Sequence, residues 1–87
     1  MSRVPVMVLG ATGLVGQRLV QLLDDHPQFS LAEVAGSSGR AGQAYGESVR
    51  WALESGPPES AMSVQLSDPW KVPRSRLVLS ALPATAA

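Results

Sequence analysis

The run Val4-Pro5-Val6-Met7-Val8-Leu9-Gly10-Ala11-Thr12-Gly13-Leu14-Val15-Gly16 decides the fold. Val4 to Leu9 is almost unbroken apolar sequence, the pattern of a short strand buried on both faces, as in a parallel sheet. Pro5 fits only near the first residues of that strand, because it donates nothing to a ladder. The run stops at Gly10, a turn follows, and a helical pattern begins near Gly13. Val15, Leu19, Leu22 and Leu23 share one helical face, with Gln17, Arg18, Gln21, Asp24 and Asp25 opposite. His26-Pro27 ends the helix, since the residue before a proline is pushed out of the α region.

Working outward, Phe29 to Ala35 reads as a second strand, and Gly36-Ser37-Ser38-Gly39-Arg40-Ala41-Gly42 as a loop of small residues. Strand, helix and strand in this short span make a βαβ unit. Tyr45 to Leu53, containing Trp51, reads as a short helix or an extended excursion. Ser55 to Ser60 is a loop by its Gly-Pro-Pro chemistry, and the alternation from Met62 to Leu66 predicts a strand. Leu77 to Leu82 predicts a buried strand ending at Pro83, with Pro83 to Ala87 opening a further helix. The expected fold class is α/β: a partial Rossmann-type, doubly wound parallel sheet, amounting to a truncated dinucleotide-binding domain over residues 1–87.

Composition narrows the function. The chain has 87 residues, 45% hydrophobic and 16% charged, which suits one small folded domain. Seven basic residues balance seven acidic ones, so no charge excess draws it to nucleic acid or an anionic membrane. There is no cysteine and one histidine, which excludes a disulfide framework, a zinc-thiolate site, a His-rich metal site and a cysteine nucleophile within these residues. No apolar run approaches the roughly 20 residues that span a bilayer. The start lacks a signal-peptide pattern, so a cytoplasmic location is expected.

Gly10-Ala11-Thr12-Gly13-Leu14-Val15-Gly16 is a G-x-x-G-x-x-G relative of the dinucleotide fingerprint. Gly10 permits a sharp turn after the strand, Gly13 has no Cβ to block a diphosphate, and Gly16 lets the helix pack closely on the sheet. The unpaired N–H groups and positive dipole end of the helix then face the anion. Glycines serving only a tight turn are the competing explanation, and strand-before, helix-after context favours the ligand. The Thr12 hydroxyl has two readings, a phosphate contact or a helix cap.

The second loop bears on cofactor choice. A site selective for NAD places an acidic residue at the end of the second strand to hold the ribose 2′-OH. Here the strand ends Val34-Ala35-Gly36-Ser37-Ser38, Glu33 lies before that end, and Arg40 follows in the loop. Hydroxyls and a guanidinium suit a 2′-phosphate, so NADP is expected over NAD.

The segment Val8 to Leu23, with His26-Pro27 and Phe29 after it, closely resembles the amino terminus of aspartate-semialdehyde dehydrogenases of the archaeal and fungal-like branch. Ala35 to Gly42, Tyr45, Trp51 and Ser80-Ala81-Leu82-Pro83 extend the resemblance over essentially the whole chain. It implies an NADP-dependent reduction of aspartyl phosphate to aspartate semialdehyde with release of phosphate, in lysine, methionine and threonine biosynthesis. It also implies that Thr12, Gly13, Leu14 and Val15 contact the cofactor diphosphate and that Ser37 and Ser38 lie near the 2′-phosphate. Ser80, Ala81, Leu82 and Pro83 would line the cofactor path, and the full-length enzyme would be a homo-oligomer.

The sequence departs from that family in two places. The family commonly has Arg-Ser before Ala-Gly in the second loop, where this chain has Gly39-Arg40. Arg74 and Arg76 stand where acidic residues are usual, and they read as surface residues. The family's thioester-forming cysteine and its histidine partner are expected beyond residue 87, and His26, at a helix end beside proline, reads as a surface or capping residue whose positive imidazole would suit the helix dipole. N-acetyl-gamma-glutamyl-phosphate reductase, with a similar glycine loop, stays open as an alternative, as does a non-catalytic dinucleotide-binding fragment. An extended short-chain reductase would need a Tyr-x-x-x-Lys pair, and no lysine follows Tyr45 at that spacing.

Overall fold

The computed structural model describes residues 3–36, 41–68 and 73–81. They form β1 (Val4–Leu9), α1 (Leu14–Leu23), β2 (Phe29–Ala35), α2 (Tyr45–Ser48), α3 (Glu59–Met62), β3 (Leu66–Ser67) and β4 (Leu77–Ser80). The strands pair in parallel as one four-stranded sheet in the order β3-β2-β1-β4. The chain thus steps outward from β1 through β2 to β3, then crosses back to lay β4 on the other side of β1. That reversal is the topological switch point of a doubly wound sheet.

β1 occupies the middle of the sheet, and its Val6, Met7 and Val8 are fully buried, as the apolar run predicts. β4 begins beside Val6, so Pro5 sits at the end of the strand where only β2 lies alongside. The β1–β2 register shifts between Val6 and Met7, where Ala32 bulges out of the ladder. One core unites Val6, Val8 and Val34 of the sheet with Val20 and Leu23 of α1, Tyr45 of α2, Ala61 of α3 and Leu66.

Three expectations need correcting. The buried face of α1 is Gly16, Gln17, Val20 and Leu23, while Val15 and Leu22 are exposed. The helix is rotated because Gly16 must face the loop: a Cβ there would lie 2.0 Å from the Gly10 carbonyl oxygen. The stretch expected as a strand from Met62 to Leu66 is instead the end of α3, a connection and the start of the two-residue β3. There Tyr45 N–H donates to Val64 O and Leu66 N–H to Gln43 O, so residues 43–45 take up the local pairing. Finally, β4 is no buried strand. It ends at Ser80 and, at the sheet edge, leaves Leu77 and Val78 exposed.

His26 caps the entry to β2: its Nδ1 accepts the N–H groups of Gln28 and Phe29 at 3.0 and 3.2 Å. Asp25, at φ 57°, takes the left-handed turn out of α1 that is common after a helix end. Arg74 and Arg76 are exposed, as read from the sequence.

Candidate functional site: the glycine turn at the switch point

The carboxyl ends of β1 and β4 meet where the strand order reverses, and the glycine turn lies on that edge. Gly10 has φ 72°, a left-handed conformation that glycine adopts without steric cost. Gly13 N–H closes the turn on Gly10 O at 3.2 Å, and Ala11 N–H reaches across to Ala35 O at the end of β2. Ala81 N–H donates to Leu9 O at 2.9 Å, which brings the Ser80-Ala81 end of β4 beside the turn. Thr12 faces the end of β2: a Cβ built on Gly36 would meet its side chain at 3.4 Å.

The two later glycines have different duties. Gly16 is enclosed, its absent Cβ replaced by the main chain of Gly10 and Ala11. Gly13 is exposed, and a Cβ there would find no atom nearer than Gly10 O at 3.7 Å. Packing therefore demands a glycine at 16 and makes no such demand at 13. The open side of Gly13 is a cradle that a side chain would fill.

The start of α1 is electrostatically uncompensated. Gly13 is the N-cap, no side chain caps it, and the first turn has no acidic residue. Thr12 is thus not the cap that one sequence reading allowed. The acids Asp24 and Asp25 sit at the other end, the reverse of the arrangement that stabilises a helix alone. A helix start with free N–H groups and no local carboxylate is suited to an anion supplied from outside.

Two buried side chains hold the turn from behind. Tyr45, fully buried, donates its hydroxyl to Ala11 O at 2.7 Å. Gln17, 2% exposed, donates Nε2 to Thr12 O and to Arg50 O, both at 2.9 Å, and accepts Ala52 N–H on Oε1 at 2.9 Å. The hydrophobic pattern alone places Gln17 on the outer face and assigns Tyr45 no role at the turn. The missed signal was Gly16: a glycine that must face the sheet places Gln17, Val20 and Leu23 beside it on the inner face.

Burial pushes the Tyr45 phenol up from its ordinary 10 to about 12. The unfolded chain releases that proton near pH 10 and the folded chain keeps it. Unfolded protein thus binds fewer protons between the two values, and stability falls as pH rises from 10 to 12. The loss should be on the order of 2–3 kcal/mol across that window. Tyr45 is the chain's single tyrosine, so tyrosinate absorbance reports it alone, and Tyr45→Phe should remove this part of the alkaline slope.

Gly10, Thr12, Gly13, Leu14, Val15, Gly16, Ser80 and Ala81 are gathered along this edge, with Leu14 and Val15 each 63% exposed beside the turn. Ser37, Ser38, Arg40, Leu82 and Pro83 lie outside the described residues. Two concavities of about 370 and 480 Å³ occur elsewhere, one near Arg3, Asp24 and Ser60, the other near Glu33, Leu66 and Asp68. Neither is lined by the glycine turn, and the turn has the stronger claim, because a diphosphate resting on main chain needs an open edge rather than a hole. Among the described residues no cluster of His, Cys, Asp or Glu is arranged to hold a metal, and no helix is long and apolar enough to cross a membrane.

The family of semialdehyde dehydrogenase NAD-binding domains matches residues 5–87. Aspartate-semialdehyde dehydrogenase of Methanothermobacter thermautotrophicus is 50% identical over 86 residues, 97% of this chain and 25% of that protein. Malonyl CoA reductase (NADP) of Metallosphaera sedula is 39% identical over 82 residues, 92% of this chain and 23% of its own length. The crystal structure of aspartate semialdehyde dehydrogenase with NADP from Candida albicans superposes with a TM-score of 0.88 at 32% identity, over 97% of this chain and 24% of that one. The chain spans about a quarter of the length of these relatives. The chain belongs to the semialdehyde dehydrogenase NAD-binding domain family.

Proposed function

We propose that residues 1–87 are the amino-terminal, cofactor-binding portion of an NADP-dependent aspartate-semialdehyde dehydrogenase. The observation that carries this is the uncapped start of α1 behind an open Gly13, on the edge where the carboxyl ends of β1 and β4 meet. The main-chain N–H groups of Thr12, Leu14 and Val15 would hold the diphosphate against the open side of Gly13, and Ser80 to Pro83 would border the path towards the nicotinamide. Bound NADPH supplies a hydride. The chain's own residues bind and orient it, and with no cysteine among them they form no thioester.

The choice of NADP over NAD gains support from Glu33. Its Oε1 accepts both Arg74 N–H, at 2.9 Å, and the Ser75 hydroxyl, at 2.6 Å. The acid nearest the end of β2 is thus engaged with the segment before β4, and its position is 8% exposed. Among the residues of β2, Glu33 is the one carboxylate, so the strand itself offers no other to a ribose 2′-OH. Ser37, Ser38 and Arg40 are proposed to receive the 2′-phosphate instead. Arg40→Ala should weaken NADP by roughly tenfold, the worth of one charge-assisted hydrogen bond, and leave NAD nearly unchanged. Equal loss for both nucleotides, or none, removes Arg40 from the site.

In this reading the whole enzyme reduces aspartyl phosphate for lysine, methionine and threonine biosynthesis, as a cytoplasmic homo-oligomer. A second reading, reduction of a malonyl thioester, is favoured by one specific observation, the 39% identity to malonyl CoA reductase (NADP). Both reductions need the same cofactor seat, so the turn serves either substrate. Calorimetric titration with NADP and NAD tests the shared part: tighter binding of NADP is expected, and absence of heat with both on folded protein contradicts it. Assays with aspartate semialdehyde plus phosphate and with malonyl-CoA on the full-length enzyme separate the two substrates.

A further inference from the structure

We infer that Gln17 and Tyr45 are positioning residues for the cofactor diphosphate, holding the Thr12 and Ala11 carbonyls inward so that neither oxygen faces the anion and Thr12 N–H does. This rests on the reading that residues 10–16 seat the diphosphate of NADP.

Each peptide unit of a turn can rotate as a rigid plate about its flanking bonds, and one next to glycine rotates most freely. A rotated plate would aim a carbonyl oxygen at the diphosphate, replacing attraction by repulsion. In a trans peptide the N–H points opposite to the C=O, so anchoring the oxygen also aims the N–H. Tyr45 anchors the Ala11–Thr12 plate through Ala11 O, which directs Thr12 N–H away from the core. Gln17 anchors the Thr12–Gly13 plate through Thr12 O, which keeps that carbonyl off the open side and its N–H on Gly10 O. This second plate borders Gly13, where the backbone is least restrained by side chains.

Both anchors are themselves fixed. Gln17 uses its other amide hydrogen on Arg50 O and its oxygen on Ala52 N–H, so the segment at 50–52 sets the height of the side chain. Tyr45 sits at the start of α2, its own N–H on Val64 O and its ring within the core. An apolar side chain would fill either space without a polar group to satisfy. The polar ends go to the carbonyls of two consecutive residues of the turn, a pairing that packing alone does not require.

The test compares two nucleotides on wild type, Tyr45→Phe and Gln17→Leu by calorimetry. NADP carries the diphosphate, whereas 2′-AMP carries the 2′-phosphate and no diphosphate. Positioning predicts that each variant weakens NADP by about tenfold or more while 2′-AMP stays within roughly twofold. A merely structural role moves both nucleotides together, and that result, or unchanged NADP affinity, overturns the inference. Should Gln17→Leu not fold, Tyr45→Phe decides, since it keeps the buried ring and removes only the hydroxyl. Failure of wild type to bind NADP brings down the cofactor reading and this inference together. Normal NADP binding by wild type and both folded variants brings down this inference alone.

Discussion

Gly13→Ala should fold and bind the cofactor more weakly. The backbone at Gly13, φ −80° and ψ 173°, is extended and open to alanine, and the new Cβ would have only ordinary contact with Gly10 O at 3.7 Å. Exchanging glycine for alanine at an N-cap costs a helix about 1 kcal/mol or less. The same methyl group stands in the space assigned to the diphosphate. Displacing one phosphate oxygen from a main-chain N–H forfeits a charge-assisted bond of roughly 1.5–3 kcal/mol, or about 10- to 100-fold in affinity. The expected result is a urea midpoint lowered by no more than about 1 M, with NADP binding weakened by that factor. Unchanged affinity would show that nothing rests against Gly13.

Gly16→Ala should damage stability and binding together. Its Cβ would lie 2.0 Å from Gly10 O, 2.7 Å from Ala11 Cα and 2.8 Å from Gly10 C, all main-chain atoms that cannot swing aside. Elsewhere in a helix, replacing glycine by alanine gains about 1 kcal/mol. Here α1 must instead lift off the turn, separating Val20 and Leu23 from the sheet and drawing Gln17 from Thr12 O. Overpacking against backbone places the loss at about 3 kcal/mol, near the upper end of such substitutions. A lower urea midpoint at unchanged slope measures it. A stable Gly16→Ala protein would mean that helix and turn are not in the close contact described.

The contrast between these glycines shows which parts of the molecule are legible in its sequence. β1 and β2 are fixed by short apolar runs whose ends are marked by Gly10 and Gly36, and both strands fall where the runs predict. The turn is legible because glycines after a strand and before a helix have few other uses. The inner face of α1 is not legible from apolar spacing. Leu14, Val15 and Leu22 draw attention by their hydrophobicity yet are 63%, 63% and 54% exposed, while polar Gln17 is buried. Close approach at Gly16 outweighs the hydrophobic pattern and turns the helix to suit.

Long-range hydrogen bonds were equally hidden. Gln17 meets residues 50 and 52, and Tyr45 meets Ala11, through contacts that no local pattern encodes. β3 is only two residues long, and Met62 belongs to a helix, because residues 64–66 bond back to residues 42–45 through main-chain groups without regard to side-chain alternation. β4 follows its apolar run, but its edge position leaves side chains uncovered that the run alone marks as interior.

The most direct measurement of where the diphosphate rests is a titration of the isotope-labelled chain with NADP, followed by amide proton–nitrogen correlation spectra. The amides of Thr12, Gly13, Leu14 and Val15 should shift most and saturate together, with those near Arg3, Asp24 and Ser60 at the opposite end unmoved. Saturable shifts centred on that distant concavity, with the four turn amides silent, would contradict the account.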